Sequence, residues 1–189
     1  MLTQTYERVL KLFKEHNGYM SFAELREGLI TVNQMRELEE RGAVERFSRG
    51  WYWCKALGKA KPKDYKFLEL GMAVPESVIC GLSACYINGI IDTEPDVVTY
   101  VTDYDSRRVN GMNYETKKFY HNMAEWEGKV KVKHTKYGDY SYLDKEEAIR
   151  DCIHCRNKID PVLYDQVINW ALAQKSSKYR ELGEAAKRL

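Results

Sequence analysis

The sequence predicts an α+β fold in two domains. Three observations predict it. Two helix starts of the same kind stand within about ten residues of each other near the N-terminus. A β-hairpin signature follows directly. The second half of the chain passes from short β-branched runs to three capped segments with helical apolar stripes. Taken together they give an N-terminal helix-turn-helix with a β-hairpin, joined to a mixed α/β C-terminal domain that ends in three helices.

Residues 4–15 form the first helix, with Tyr6, Val9, Leu10 and Phe13 on one stripe. His16-Asn17-Gly18 ends it. Ser21-Phe22-Ala23-Glu24 and Thr31-Val32-Asn33-Gln34 are capping boxes. In each, a hydroxyl accepts from a free backbone N–H, and Glu or Gln reaches back to the cap. Each box has a hydrophobic staple, Met20 with Leu25 and Ile30 with Met35. Gly28 breaks the first of the two helices. Val44–Phe47 and Trp51–Trp53 then read as strands around Ser48-Arg49-Gly50, a three-residue loop with Gly last. Helix, helix and hairpin make a winged helix-turn-helix over residues 1–54, and duplex DNA is the expected partner.

Charge sharpens this reading. The chain of 189 residues carries a net charge of only +2. Residues 1–54 hold eight basic and eight acidic side chains, whereas residues 55–66 hold five lysines against Asp64. That stretch reads either as a solvated basic linker or as a track for a phosphate backbone. On the second helix of the pair, Met35 and Leu38 face the core. Asn33, Arg36, Glu37 and Glu40 therefore point away. Asn and Gln read adenine and Arg reads guanine. The expected DNA contacts are Thr31, Asn33, Gln34 and Arg36 on the helix, Arg46 and Arg49 on the hairpin, and Lys55, Lys59 and Lys63 beyond it. Glu37 and Glu40 work against phosphate contact.

The C-terminal domain, residues 67–189, opens with a helical stretch at 67–72. A helix is expected from Pro75 through Ile79, Leu82 and Tyr86 to Gly89. Strands are expected at 97–102, 117–121, 130–134 and 140–143, the last two around a Gly138-Asp139 turn. They predict a small antiparallel sheet with one solvated face. Asp144-Lys145-Glu146-Glu147 starts a helix running to about Asn157. Asp160-Pro161 starts the next, burying Leu163, Val167, Ile168, Trp170 and Ala171. Ser176 or Ser177 caps the last.

Several function classes are disfavoured. No run approaches the ~20 apolar residues that span a bilayer, and the N-terminus is polar rather than signal-like. A cytoplasmic protein without membrane attachment is expected. Five cysteines, an odd number in apolar segments, are not a disulfide framework. Cys152-Ile153-His154-Cys155 has metal-like spacing. It is expected mid-helix, with both sulfurs on the apolar side and no second pair, so buried structural thiols and no metal are expected. Asp92, Glu94, Asp96, Asp103 and Asp105 flank a strand without a phosphate-cradling loop. No cofactor and no enzymatic activity are expected.

The order of motifs resembles a known family. The hairpin Ser48-Arg49-Gly50-Trp51-Tyr52 is followed by Val78–Gly89, with Leu82-Ser83-Ala84 inside it. Later comes Asp151–Lys158, ending in Arg156-Asn157-Lys158. This is similar to the AbiEi antitoxins, the transcription-regulating partners of type IV toxin–antitoxin systems. The resemblance implies that the first domain binds inverted repeats in its own promoter. It also implies that the second opposes an AbiEii-type nucleotidyltransferase toxin without a stable complex. Arg156, Lys158, Arg180, Lys187 and Arg188 are the expected antitoxin surface. The rival readings are an ordinary winged-helix regulator whose second domain senses a ligand, and an enzyme acting on nucleotides through Asp92 or Asp103.

Overall fold

The computed structural model describes residues 3–103 and 111–188. Asp105 lies outside them. The chain falls into two compact units. The first contains residues 3–75 with 111–113 and 134–139, and the second contains 76–103, 114–133 and 140–188.

In the first unit, α1 (Thr3–Glu15) buries Val9 and Phe13. It gives way at Gly18, whose N–H donates to Phe13 O at 2.6 Å and whose φ is +97°. The chain then forms β1 (Tyr19–Ser21), α2 (Phe22–Glu27), α3 (Val32–Glu40), β2 (Val44–Ser48) and β3 (Trp51–Cys54). Both capping boxes form. Ser21 Oγ accepts from Glu24 N at 3.2 Å, and Thr31 Oγ1 accepts from Gln34 N at 3.3 Å. Met20, Leu25, Ile30, Met35 and Leu38 are buried together with Phe13 and Val44.

Gly28 ends α2, as expected. The left-handed residue is Leu29, at φ 60°, not Gly28. A Cβ at Gly28 would stand 2.6 Å from Leu12 Cδ1, so the end of that leucine side chain would have to shift. The strands pair antiparallel in the order β1-β3-β2. The hairpin tip is two residues, Arg49-Gly50, because β2 bulges between Arg46 and Ser48 and so reaches Trp51.

Residues 55–66 do not act as a free spacer. Lys55–Leu57 form a 3₁₀ turn that ends at Gly58. Then α4 (Tyr65–Ala73) buries Phe67, Leu68, Glu69 and Leu70 within the first unit. The expected boundaries at 54 and 67 thus move to about residue 75, where Pro75 follows the end of α4.

In the second unit, Val78–Ile79 form β4 rather than the middle of a helix. A fully buried central strand is an unbroken apolar run, which periodicity alone does not separate from a helix. The helix α5 (Gly81–Ile87) starts later, with Gly81 at φ 54°. Next come β5 (Val98–Thr102), β6 (Thr116–Tyr120), β7 (Val130–Thr135) and β8 (Gly138–Leu143), although residues 134–139 of the last two count with the first unit. The sheet order is β6-β5-β4-β8-β7.

The sheet is mixed, not antiparallel: β4 pairs parallel with β8, and β5 with β6. The inner strands β4 and β5 are buried along most of their length, and solvation is greatest at the lysine-bearing edges β6 and β7. The β7–β8 turn is at 136–137, and Gly138 and Asp139 already belong to β8.

The final three helices are α6 (Lys145–His154), α7 (Pro161–Ala173) and α8 (Ser177–Lys187). Asp144 caps α6 by accepting from Glu147 N at 2.9 Å. Asp160 caps α7 by accepting from Leu163 N at 2.9 Å. Asn157, expected at the end of α6, instead lies in a 3₁₀ turn at Arg156–Lys158. Among the described residues no helix is long and apolar enough to cross a membrane.

Candidate functional site

The nine expected DNA contacts divide into two groups. Four are engaged inside the first unit. Thr31 and Gln34 close their own capping box, with Gln34 Oε1 accepting from Thr31 N at 2.8 Å. Arg46 Nε donates to Ser48 O at 3.3 Å. Lys55 Nζ lies 3.1 Å from Glu45 Oε2. The other five are Asn33, Arg36, Arg49, Lys59 and Lys63. They are exposed, and none forms a side-chain hydrogen bond or ion pair with another described residue. Asn33 and Arg36 share the outward face of α3, whose opposite side buries Met35 and Leu38. Glu37 on that face is tied to Arg41, whereas Glu40 stays exposed. Val32 at the start of α3 is 55% exposed and Leu29 before it 75%.

The first unit also holds a charged cluster. Lys61, only 15% exposed, sits 2.7 Å from Glu45 Oε1 and 2.6 Å from Glu69 Oε1. Its ammonium also stands 4.9 Å from the centre of the Tyr65 ring. Tyr19 Oη donates to Glu69 Oε1 at 3.2 Å, while Glu69 Oε2 is buried without a hydrogen bond. Burial outweighs the pull of Lys61 and pushes the Glu69 carboxyl up to about 7. At the more open Glu45, burial acts in the same direction. There the bonds from Lys61 and Lys55 prevail and hold the group below the usual carboxylate range.

The second unit has a cavity of about 440 Å³ whose lining includes Cys80, Phe119, Trp126, Asp151, Cys155 and Lys158. Asp151 Oδ2 accepts the Gly81 N–H at 2.8 Å. Burial raises the Asp151 carboxyl, and the Gly81 bond opposes the rise. The expected pairing of Cys152 with Cys155 on one apolar face does not occur. Cys152 is fully buried, with its sulfur 3.6 Å from Cys85 Sγ. Cys155 ends α6, half-buried, beside Asp151. Burial pushes the Cys80 and Cys155 thiols up, away from nucleophilic thiolates. Among the described residues no group of three or more His, Cys, Asp or Glu is placed to hold a metal ion.

No protein-family description and no curated protein matches this sequence. Among solved structures, the chain is similar to the crystal structure of the RV2827C protein from Mycobacterium tuberculosis. The TM-score is 0.67 over 98% of this chain and 77% of that one, at 13% identity. The likeness is one of fold.

The expected antitoxin residues lie on two elements, the turn after α6 and the helix α8 with its end. Lys158 lines the cavity, while Arg156 is half-buried and its Nη1 donates to Ile153 O at 3.4 Å. Arg180, Lys187 and Arg188 are exposed along α8 and beyond its end. The carboxylates Asp92, Asp96 and Asp103 are exposed and line none of the cavities described here. Sequence reasoning missed the cavity. The signal for it was a polar stripe at Asp151, Cys155 and Lys158, spaced by four and three residues beside the apolar Ile149 and Cys152.

Proposed function

We propose that the first unit is a winged helix that binds duplex DNA, with α3 in the major groove and the β2–β3 tip as the wing. What supports the reading is the outward face of α3. Its cap is satisfied internally, while Asn33 and Arg36 are left unengaged on the side away from the core. Arg49 stands at the hairpin tip, where a phosphate or minor groove would be met. Lys59 and Lys63 supply sequence-independent contacts. Glu40 reads a cytosine amino group rather than a phosphate.

By its resemblance to AbiEi antitoxins, the DNA is the chain's own promoter, and the second unit opposes a nucleotidyltransferase-like toxin. The protein then works inside the cell as an autorepressing antitoxin. A second reading, a regulator whose second unit senses a ligand, is favoured by the cavity around Asp151.

The DNA test is binding of the full chain to its upstream region and to random duplex. Asn33→Ala should weaken the specific complex by about 1–3 kcal/mol and leave the random one nearly unchanged. Lys59→Ala should weaken both and lower the salt slope by about one. No preference for the upstream duplex at moderate salt sinks the reading.

The antitoxin part is tested in cells expressing the neighbouring toxin gene. The full chain carrying Lys158→Glu and Arg180→Glu should keep its DNA binding and lose protection. Undiminished protection would exclude these residues from the antitoxin surface.

A further inference from the structure

The cavity of the second unit divides into two chemically different halves. One is largely aromatic, and Lys117 Nζ stands 5.3 Å from the centre of its Phe119 ring. It is made by Val101, Phe119 and Trp126, and His121 stacks on Trp126 with ring centres 4.2 Å apart. The His121 Nε2 is closed off from solvent and lies 3.4 Å from Glu125 Oε2 without hydrogen-bond geometry. The stack therefore fixes the ring mainly by packing.

The other half comes from α6 and the turn after it, and its acids are already matched. Asp151 holds the Gly81 N–H. Glu147 lies 3.1 Å from Lys129 Nζ. Arg150 donates to Glu146 at 2.8 Å. The side chains of His154 and Lys158 line the same cavity and make no hydrogen bond or ion pair with any other described residue. Two basic groups, of which only His154 feels a nearby carboxylate, that of Asp151, thus share with aromatic residues the lining of a cavity of about 440 Å³, a volume in the range of small-molecule sites.

We propose that this cavity binds a small anion carrying a flat ring, with nucleoside monophosphates as the class. The phosphate sits at Lys158 and His154, where charge-assisted hydrogen bonds are available. The ring lies against Phe119 and the His121–Trp126 stack, since a base offers a π-face whatever its identity. The proposal holds whether or not the first unit binds DNA.

Calorimetric titration of the full chain with AMP, GMP, CMP and UMP tests it, with inorganic phosphate and the four bare nucleosides as controls. At least one monophosphate should bind at millimolar concentration or below. Its nucleoside and inorganic phosphate should each bind roughly tenfold more weakly or not at all, because each keeps one half of the contacts. Lys158→Gln should cost roughly tenfold in affinity, and Phe119→Leu should weaken the nucleotide while leaving any phosphate binding as it was. Both variants are first checked for an unchanged melting temperature. His154→Gln, on an exposed side chain that makes no hydrogen bond or ion pair with another described residue, serves if either fails to fold. The proposal is overturned if none of the four monophosphates binds. It is also overturned if phosphate alone binds as tightly as a nucleotide, or if the folded variants bind as the parent does.

Discussion

Replacing Lys61 by methionine should destabilise the first unit by roughly 3–5 kcal/mol, the usual cost of leaving a buried charge without its partner. Lys61 is the cation between Glu45 and Glu69, at 2.7 and 2.6 Å. Without it, two carboxylates share a buried space. The loss should depend on pH, because Glu69 can escape by taking up a proton. Its folded-state value of about 7 lies above the ordinary value of 4.5. A raised carboxyl favours the folded state fully below about 4.5, and that contribution disappears as pH rises through 7. Stability of the parent should therefore fall between about pH 5 and 8 by an amount that Glu69→Gln removes. The Lys61→Met loss should be larger at pH 8 than at pH 6. Chemical denaturation of the four proteins — parent, two singles and the double — measures all of this. A Lys61→Met variant as stable as the parent at pH 8 would mean that the cluster is solvated and the lysine expendable.

Gly18→Ala should cost about 3 kcal/mol. Gly18 has φ +97°, and a Cβ there would stand 2.5 Å from Trp53 Cζ3. A left-handed backbone costs a residue with a side chain about 1–2 kcal/mol, and overpacking against a ring adds about 1–3. Trp53 is 2% exposed and packs on Tyr19 at 4.5 Å between ring centres, so it has nowhere to move. The backbone on both sides is pinned, by Gly18 N to Phe13 O and by Cys54 N to Gly18 O at 2.9 Å. Combining Gly18→Ala with Trp53→Leu should cost less than the sum of the two singles, because the smaller side chain removes the clash. A single-variant loss below about 0.5 kcal/mol would show that the ring yields.

Features set by neighbours in sequence were legible before the structure. The boxes at Ser21 and Thr31 and the caps at Asp144 and Asp160 form as read, because a cap needs only three or four consecutive residues. Features set by distant partners were not. Lys61 looked like one lysine among five in a spacer, because its partners Glu45 and Glu69 lie sixteen residues before and eight after it. Val78 and Ile79 carry no mark of the two strands that flank them. The cavity takes its wall from β5, β6, α6 and the turn that follows it. The bond that orders it, Gly81 to Asp151, spans seventy residues. On α3 the outward face was legible, since Met35 and Leu38 fix its rotation. That Gln34 is consumed by its own cap follows from the box itself, in which the third helical side chain turns back on the backbone.

Ser21 holds two positions at once. It is the last residue of β1, opposite Trp51, and it caps α2. The next residue, Phe22, donates its N–H to Gly50 O at the hairpin tip at 2.7 Å. This bond ties the start of α2 to the tip of the hairpin, so that opening one favours opening the other. A ligand that clamps the tip slows solvent exchange of amides at the head of α2, although it never touches that helix. A loosened Ser21 cap, in turn, frees the arginine at the tip to sample more orientations. The hairpin tip and the head of α2 share one local equilibrium, and a constraint on either is felt at both.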